Sequence, residues 1–207
     1  MKRITGYLLA VWATAQMAAG QATNSVNPLQ ALIDSAETGT VISVPAGTYQ
    51  GSLVLKDGVA LVGEGADVTT IDGNGAAAVI TGANDAMAIG LTIRNGRVAV
   101  DNRDVSMGVF ECRLVDFQTV GIQLMGGSGV IANNLIEGDR KGSGILCCMS
   151  NPYILNNVIA SNAVGLQAME HAFPSLERNM FVTNGAAIVV TGDSAADLRG
   201  NYNPLCA

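Results

Sequence analysis

Six charged residues lie close together in residues 101–116 and could form a site for acid–base chemistry: Asp101, Arg103, Asp104, Glu111, Arg113 and Asp116. An arginine among carboxylates can clamp the carboxylate of a sugar acid or assist proton transfer. We expect Glu111 and Arg113 on the outer face of one strand, with Asp101 to Asp104 in the turn before it. In this hypothesis Arg113 is the clamp or base, with Glu111 and Asp104 as catalytic partners. Asp101, Arg103 and Asp116 would bind substrate. The alternative is a set of solvated surface ion pairs, each contributing about 0–1 kcal/mol to stability.

A second set of residues has the chemistry of a soft-metal site. Met125, Cys148 and Met169 recur at nearly equal intervals in the sequence, and His171 follows shortly after Met169. Thioether, thiolate and imidazole groups are ligands that Cu(I) prefers. The alternative is an apolar strip under a loop or a partner, in which methionine fills space.

Both hypotheses depend on a repeat that brings distant residues together. One polar position is filled in successive copies by Cys112, Asn134, Asn157, Asn179 and Asn201. Shortly after it comes an apolar position, filled by Leu114, Ile136, Ile159 and Phe181. The copies follow one another about every 22 residues, and a fixed period of this length is typical of a solenoid, in which each repeat stacks on the next.

Each repeat holds two short runs of alternating apolar residues and no helical pattern, which predicts strands. We therefore expect an all-β fold, a single-stranded parallel β-helix of about seven coils spaced ~4.8 Å apart. The asparagines would bond to backbone groups that a bend leaves unpaired. Residues 28–36 predict a short helix with Asn27 as its N-cap, and Leu29, Leu32 and Ile33 would face one side. This helix is expected to cap the N-terminal end of the coils.

Several short sequence segments resemble those of a known superfamily. The sequence PAGTY (45–49), followed by LVL, ALVGEG and TTIDGNG, resembles the N-terminal coils of right-handed parallel β-helix proteins of the pectin-lyase-like superfamily. ECRLVDF and the paired asparagines resemble its later repeats, so the resemblance spans roughly residues 30–203. It implies a right-handed fold. It leaves activity open, because this superfamily contains lyases, hydrolases, epimerases, copper-associated periplasmic proteins and non-enzymes.

The resemblance also implies which catalytic motifs to look for. Pectate-lyase-like enzymes bind Ca²⁺ through acidic residues on neighbouring coils and use an arginine or lysine as base, whereas mannuronan epimerases carry Asp-Pro-His-Asp. This sequence lacks the epimerase motif, and its single histidine, His171, has no aspartate neighbour in the sequence. Ca²⁺ and Cu(I) are the two metal cofactors that remain candidates.

The N-terminus predicts export. Lys2 and Arg3 precede an apolar run and then small residues, as in a signal peptide over residues 1–22; a single membrane anchor is the alternative. Residues 23–207 would then form one β-helix domain in the periplasm or outside the cell, with no other membrane span. Cleavage would remove Lys2 and Arg3 and so move the net charge from −6 to −8, which disfavours nucleic acid as a partner.

The four cysteines do not fit a disulfide framework, although an exported protein could carry one. The repeat places Cys112 and Cys147 in different segments of different coils, too far apart for a disulfide. Free thiols are therefore expected. An intermolecular bridge through Cys206 and a strained vicinal Cys147–Cys148 ring remain alternatives.

Three hypotheses for function follow. The first is an exported β-helix protein that binds or presents a polysaccharide or a cell-envelope component along a lateral face, without turnover. The second is a carbohydrate-active enzyme, a pectate-lyase-like polysaccharide lyase or an epimerase. The third is a periplasmic copper-handling protein. Self-association through the C-terminal coil is a further possibility.

Overall fold

The computed structural model describes residues 27–203. The helix is α1 (Pro28–Ser35). The first strands, in chain order, are β1 (Val41–Val44), β2 (Gly47–Gln50), β3 (Leu53–Val54), β4 (Ala60–Gly63), β5 (Thr69–Thr81), β6 (Met87–Ile89) and β7 (Thr92–Arg103). They are followed by β8 (Met107–Phe110), β9 (Arg113–Val115), β10 (Val120–Met125), β11 (Gly129–Ala132), β12 (Leu135–Glu137) and β13 (Ser143–Cys148). The last are β14 (Tyr153–Leu155), β15 (Val158–Ala160), β16 (Val164–Met169), β17 (Ser175–Glu177), β18 (Met180–Val182), β19 (Ala186–Val190) and β20 (Asp197–Arg199).

These strands form two sheets in which each strand pairs, in parallel, with strands one coil away. The first sheet has eight strands in the order β1-β4-β6-β8-β11-β14-β17-β20, and the second has twelve. One coil runs through β8, β9 and β10, and its strands pair with β11, β12 and β13 of the next coil. This is the parallel β-helix, of about seven coils, that the repeat predicts.

The interior is filled by columns of apolar side chains. The predicted column of Leu114, Ile136, Ile159 and Phe181 is buried, with no member more than 2% exposed. In the second apolar run of each repeat, the residues that alternate toward the interior are buried as well: Ile122, Leu124, Ile145, Cys147, Leu166 and Ala168. Removal of apolar area from water, at about 25 cal/mol per Å², is the main force that holds the coils together.

The repeated asparagines form a hydrogen-bonded ladder along one bend. The Oδ1 atom of Asn157 accepts from both the backbone N and the Nδ2 of Asn134, each at 2.9 Å. The Nδ2 of Asn157 donates to Ile131 O and to Asn179 Oδ1, also at 2.9 Å. Asn201 extends the ladder, and the backbone N of Cys112 donates to Asn134 Oδ1 at its other end. The role predicted for this column is confirmed.

The residue just before each ladder position has a left-handed backbone. The φ angles there lie between 54° and 60°, at Glu111, Asn133, Asn156, Arg178 and Gly200. Gly90, which is equivalent to Glu111 one coil earlier, has φ 64°. A left-handed residue turns the chain sharply between the two sheets, and an L-residue there is less favourable than glycine by roughly 1–2 kcal/mol. The left-handed bend at Glu111 thus recurs at the equivalent position of successive coils.

The predicted cap helix is present. Asn27 is its N-cap and accepts a hydrogen bond from Leu29 N at 3.0 Å, while Leu29 and Ile33 are buried. Gln30 forms two hydrogen bonds with the backbone of Val54 in β3, one through Nε2 and one through Oε1. A side chain of α1 therefore satisfies edge-strand groups that would otherwise be unpaired. The expectation that Leu32 faces the core was wrong, because this residue is 38% exposed.

Three cysteines lie within the described residues, and all three are free and buried: Cys112, Cys147 and Cys148. The vicinal ring is therefore not formed, and the expectation of free thiols is confirmed for these three. Burial raises the pKa of Cys112 and of Cys147 to about 12, so both thiols stay protonated at neutral pH. Cys206 and the predicted signal peptide lie outside the described residues.

The last described coil is more exposed than the coils before it. Leu198 continues the inward column of Ile154 and Leu176, which are at most 1% exposed, yet Leu198 itself is 53% exposed. Self-association through this coil stays a prediction.

Candidate functional site

The six charged residues of positions 101–116 lie at separate places on the coil. Asp101 and Arg103 are at the end of β7, and Asp104 follows them. Arg113 begins β9, which pairs with the start of β7 at Thr92. Arg113 therefore lies near the opposite end of this twelve-residue strand from Asp101 and Arg103, whereas Asp116 directly follows β9.

Two details of the predicted placement were wrong. Glu111 was expected beside Arg113 on one strand, but it lies in the bend between β8 and β9, with φ 54°. Asp101 and Arg103 were expected in a turn, but they belong to β7. Alternation of side chains cannot be followed through a bend, because the left-handed residue resets which side faces outward. Among the ion pairs of the described residues, none includes Arg113, Glu111, Asp104 or Asp116. Their catalytic and binding roles stay predictions.

Asp101 is the centre of a small polar cluster. Its Oδ2 accepts from Arg103 Nε at 2.9 Å, and its Oδ1 accepts from Gln123 Nε2 at 2.8 Å. The Asp101 side chain is 16% exposed, whereas that of Arg103 is 59% exposed. The carboxylate therefore orients the exposed guanidinium of Arg103 toward a ligand, whereas Gln123 is only 8% exposed and holds the carboxylate in place.

The pairing of strands extends this cluster into a column. Asp101 is in register with Gln123, Gln123 with Leu146, Leu146 with Gln167, and Gln167 with Val189. We call this set of five residues the amide column. It runs along the outer face of β7, β10, β13, β16 and β19, which we call the lateral face. Gln123 and Gln167 belong to no motif that would mark them in the sequence, although their spacing from Asp101 follows the repeat.

A second column lies on the lateral face two residues further along each strand. Arg103, Met125, Cys148 and Met169 are in register on four adjacent strands, and we call them the sulfur column. The predicted stacking of Met125, Cys148 and Met169 is therefore found. Cys148 occupies the outward position on β13 that alternation predicts, yet it is only 3% exposed.

The cover over Cys148 includes a residue that the sequence did not reveal. Cys148 Sγ donates a hydrogen bond to Glu170 Oε2 at 3.1 Å. Burial, and then the hydrogen bond and charge of Glu170, raise the pKa of Cys148. His171 lies elsewhere: its Nε2 is 3.5 Å from Asp193 Oδ2, and its side chain is 70% exposed. The metal-binding role predicted for Met125, Cys148, Met169 and His171 stays a prediction.

Two concavities lie away from the charged cluster. One of about 350 Å³ is lined by Arg140, Asn162, Ala163, Thr183, Asn184 and Gly185. The other, of about 90 Å³, is lined by Tyr153, Ser175, Leu176, Glu177, Asp197 and Arg199. Neither is lined by any of the six charged residues of positions 101–116, so those residues do not enclose a ligand in either hollow.

Acidic groups are also dispersed. Within residues 27–203 no group of three or more histidine, cysteine, aspartate or glutamate side chains could hold a metal ion. Asp72, which is 7% exposed in β5, instead accepts hydrogen bonds from Arg94 Nε, Asn95 Nδ2 and Asn74 N. Ca²⁺ needs six to eight oxygen ligands, and the described acidic residues do not converge to supply them. No helix in this part of the chain has the length and apolar character to cross a membrane.

Known proteins with a similar fold include carbohydrate-active enzymes. Pectin methylesterase from carrot aligns with a TM-score of 0.54 at 13% identity, covering 86% of this chain and 79% of the enzyme. Pectin methylesterase from Yersinia enterocolitica also aligns with a TM-score of 0.54, at 14% identity, covering 86% of this chain and 90% of the enzyme. At these identities the likeness establishes the fold. A comparison with curated proteins found no match.

A sequence family also matches most of the chain. Residues 53–203 match the family described as "Right handed beta helix region". This range includes the ladder, the amide column and the sulfur column, and it confirms the predicted handedness. The chain belongs to the right-handed β-helix family.

Proposed function

We propose that this protein is exported and binds a polysaccharide along its lateral face, without turning it over. The observation that carries the proposal is the amide column. In it, the half-buried Asp101 and Gln167 lie in the same register column, with the exposed Arg103 beside Asp101. The buried Gln123 between them orients Asp101 through a hydrogen bond. Amide and carboxylate side chains donate to and accept from sugar hydroxyls, and several such groups in line can engage successive units of one chain.

The spacing of the column suits an extended polymer. Adjacent strands are about 4.8 Å apart, so Asp101 and Gln167, three strands apart, span about 14 Å. A ligand held at both ends of that span must itself be extended and repetitive. A small sugar would reach one or two of these groups only, so its binding would be weaker.

Charge favours a polymer with few carboxylates. The chain carries a net charge of −6, which repels a dense polyanion at long range. Among the six charged residues of positions 101–116, only Arg103 and Arg113 are basic. We therefore infer that a neutral or esterified polysaccharide binds more tightly than a fully ionised polyuronate.

The named structural neighbours point to the same class of ligand. Two proteins with this fold are pectin methylesterases, whose name identifies pectin as what they act on. That likeness supports a carbohydrate ligand through fold alone, so pectin with a high degree of methyl esterification is a reasonable first probe.

Catalysis is the second candidate, with weaker support. A lyase or epimerase reaction at Arg113 would need Glu111 and Asp104 within reach of one sugar, and these residues lie on different segments of the coil. The test is incubation with pectate and alginate, with and without Ca²⁺, while the absorbance of unsaturated products is followed. A rise in absorbance that Arg113→Ala abolishes would replace binding with turnover as the function.

The binding proposal is tested by calorimetric titration with methyl-esterified pectin, de-esterified pectate, alginate and a neutral glucan. We expect the esterified or neutral polymers to bind and the polyuronates to bind less. Gln167→Ala should weaken binding about tenfold, because one or two hydrogen bonds contribute roughly 1.4 kcal/mol together.

Gln118→Ala is the matched control, because Gln118 is an exposed glutamine in a loop outside the lateral face. The Gln118→Ala variant should bind the polymers with the same affinity as the wild type. Absence of binding to all four polymers, or equal losses in Gln167→Ala and Gln118→Ala, would overturn the proposal.

Export rests on the basic and apolar pattern of residues 1–22. Expression of the full chain in a Gram-negative host and mass spectrometry of the periplasmic fraction test it. A mature N-terminus at Gln21 or Thr23 is expected. Recovery only of uncleaved chain in the membrane fraction would favour the membrane-anchor alternative.

A further inference from the structure

We infer that the sulfur column is a binding site for one soft monovalent metal ion, in which Met125, Cys148 and Met169 from three adjacent strands supply sulfur ligands. This inference is independent of polysaccharide binding, because it concerns different side chains and a different kind of ligand.

The register of the strands carries the geometry. Met125 pairs with Cys148 in β10 and β13, and Cys148 pairs with Met169 in β13 and β16. Three sulfur-bearing residues therefore start from backbone positions about 4.8 Å apart on one face. A methionine side chain is long and has three rotatable bonds, so both thioethers can turn toward the thiol between them.

The Cys148 side chain is already covered, between the half-buried Met125 and Met169. Its position on β13 points outward, as that of Leu146 does, yet Cys148 is 3% exposed and Leu146 is half-buried. Its in-register neighbours flank it, and Glu170 reaches its Sγ at 3.1 Å from one coil further on. An ion held there would be shielded from water, as a tightly held soft ion requires.

Glu170 also gives the binding step a route for its proton. Cys148 Sγ–H donates to the Glu170 carboxylate, so that proton can pass to Glu170 and then to water as the sulfur–metal bond forms. The ion enters with charge +1, one proton leaves, and no electron is transferred. The site therefore keeps its charge when it fills, which avoids the cost of a buried net charge.

Sulfur chemistry selects the ion. Thiolate and thioether ligands favour Cu(I), whereas Zn²⁺ prefers thiolate, imidazole and carboxylate. The proposed site does not include His171, whose imidazole lies 3.5 Å from Asp193 and is 70% exposed. The polar group that does contact Cys148 is the Glu170 carboxylate.

The test is a competition titration in which the protein withdraws Cu(I) from the chelator bathocuproine disulfonate, without oxygen and with ascorbate present. Full-length protein carrying Cys206→Ser is used throughout, so that the thiol outside the described residues contributes nothing. One equivalent of Cu(I) should be withdrawn, and an excess of Zn²⁺ should not displace it. X-ray absorption at the copper edge should show sulfur neighbours.

Variants separate a site from an apolar strip. Met125→Leu and Met169→Leu conserve volume and should each weaken Cu(I) binding about tenfold, whereas Cys148→Ser should weaken it about a hundredfold. Met180→Leu is the matched control, because Met180 is an exposed methionine in β18 outside the lateral face. Its affinity for Cu(I) should be unchanged.

Circular dichroism and thermal unfolding establish that each variant is folded before it is titrated. No withdrawal of Cu(I) by the wild type, or equal affinities in the wild type and Cys148→Ser, would overturn the inference and identify the column as packing. Effects in Met180→Leu as large as those in Met125→Leu would also overturn it.

Discussion

Each buried asparagine of the ladder satisfies groups in two coils at once. The Nδ2 of Asn157 donates to Ile131 O in the preceding coil and to Asn179 Oδ1 in the following coil, and its Oδ1 accepts from the backbone and side chain of Asn134. A bend interrupts the strand pairing, so these backbone groups have no sheet partner. The asparagine amide makes the hydrogen bonds that a neighbouring strand would otherwise make. For this reason asparagine recurs at this position.

Replacement of Asn157 by alanine should therefore destabilise the fold. The change leaves a buried N–H and a buried carbonyl without partners, which costs about 2–3 kcal/mol. The loss of stability is measured by urea unfolding, monitored by circular dichroism. Gln118→Ala, in an exposed loop, should change stability by no more than about 0.5 kcal/mol. Equal effects of the two substitutions would show that the ladder contributes little.

Glu111, for which a catalytic role was predicted, also occupies a left-handed position in a bend. Its φ of 54° matches the left-handed residues in the other bends, two of which are glycines. Glu111→Gly should therefore raise the free energy of unfolding by about 0.5–1 kcal/mol, through relief of the left-handed penalty. Glu137→Gly, at the end of strand β12, should lower it by a similar amount. A large loss of stability in Glu111→Gly would contradict the assignment of Glu111 to a structural bend.

Asp72 contributes a pH-dependent part of the stability. Burial by itself would raise the pKa of this carboxyl, but hydrogen bonds from Asn74, Asn95 and Arg94, together with the Arg94 charge, lower the pKa below its usual value. A carboxyl with a lowered folded-state pKa stabilises the fold above its unfolded pKa of about 3.9, and this contribution is lost as the pH falls through the folded value.

The difference in unfolding free energy between the wild type and Asp72→Asn should accordingly be larger at pH 6 than at about pH 2.5. Urea unfolding at several pH values provides the measurement. A difference that is constant with pH would show that Asp72 contributes through packing alone.

At the scale of elements, α1 closes the N-terminal end of the solenoid. Ile33 is fully buried and Leu29 is 4% exposed, while Gln30 bonds to the β3 backbone. A β-helix without such a cover would expose both its core and a strand edge. The helix thus protects the end of the stack while adding little length to it.

Ile33→Ala should cost about 2–4 kcal/mol, because it leaves a cavity under the helix. Leu32→Ala is the matched control on the same helix, where the side chain is 38% exposed, so its cost should be much smaller. Equal midpoints of urea unfolding for the two variants would show that the helix does not pack as a cap.

Sequence could predict those elements whose side chains repeat. The ladder, the inward columns and the stacking of Met125, Cys148 and Met169 all follow from one nearly constant repeat length. The cap helix was marked by Asn27 and Pro28, which have known preferences at a helix start.

Other features needed coordinates. The bend position is filled by Gly, Glu, Asn and Arg in different coils, so residue type does not reveal it. The burial of Cys148 depends on Glu170, which belongs to the next coil and points back toward it. The repeat is also not visible in the early coils, because their lengths differ. The coil between the paired residues Ala60 and Met87 is longer than the later coils.

For the whole molecule, the consequence of this fold is that residues far apart in sequence form continuous lines. One such line on the first sheet runs from Val41 to Asp197 through seven in-register steps, each to the adjacent strand. The amide column and the sulfur column are lines of the same kind on the second sheet. Both proposals for ligands depend on this register being kept over all coils.

The distance between spin labels at Val41→Cys and Asp197→Cys tests that register most directly, because it adds up every step of the stack. Cys148 and Cys206 are replaced by serine, and the buried thiols of Cys112 and Cys147 should not label. Seven steps of about 4.8 Å predict a narrow distribution centred near ~34 Å, within the reach of the labels. A broad distribution, or a centre beyond about 45 Å, would contradict a stack of seven coils in register.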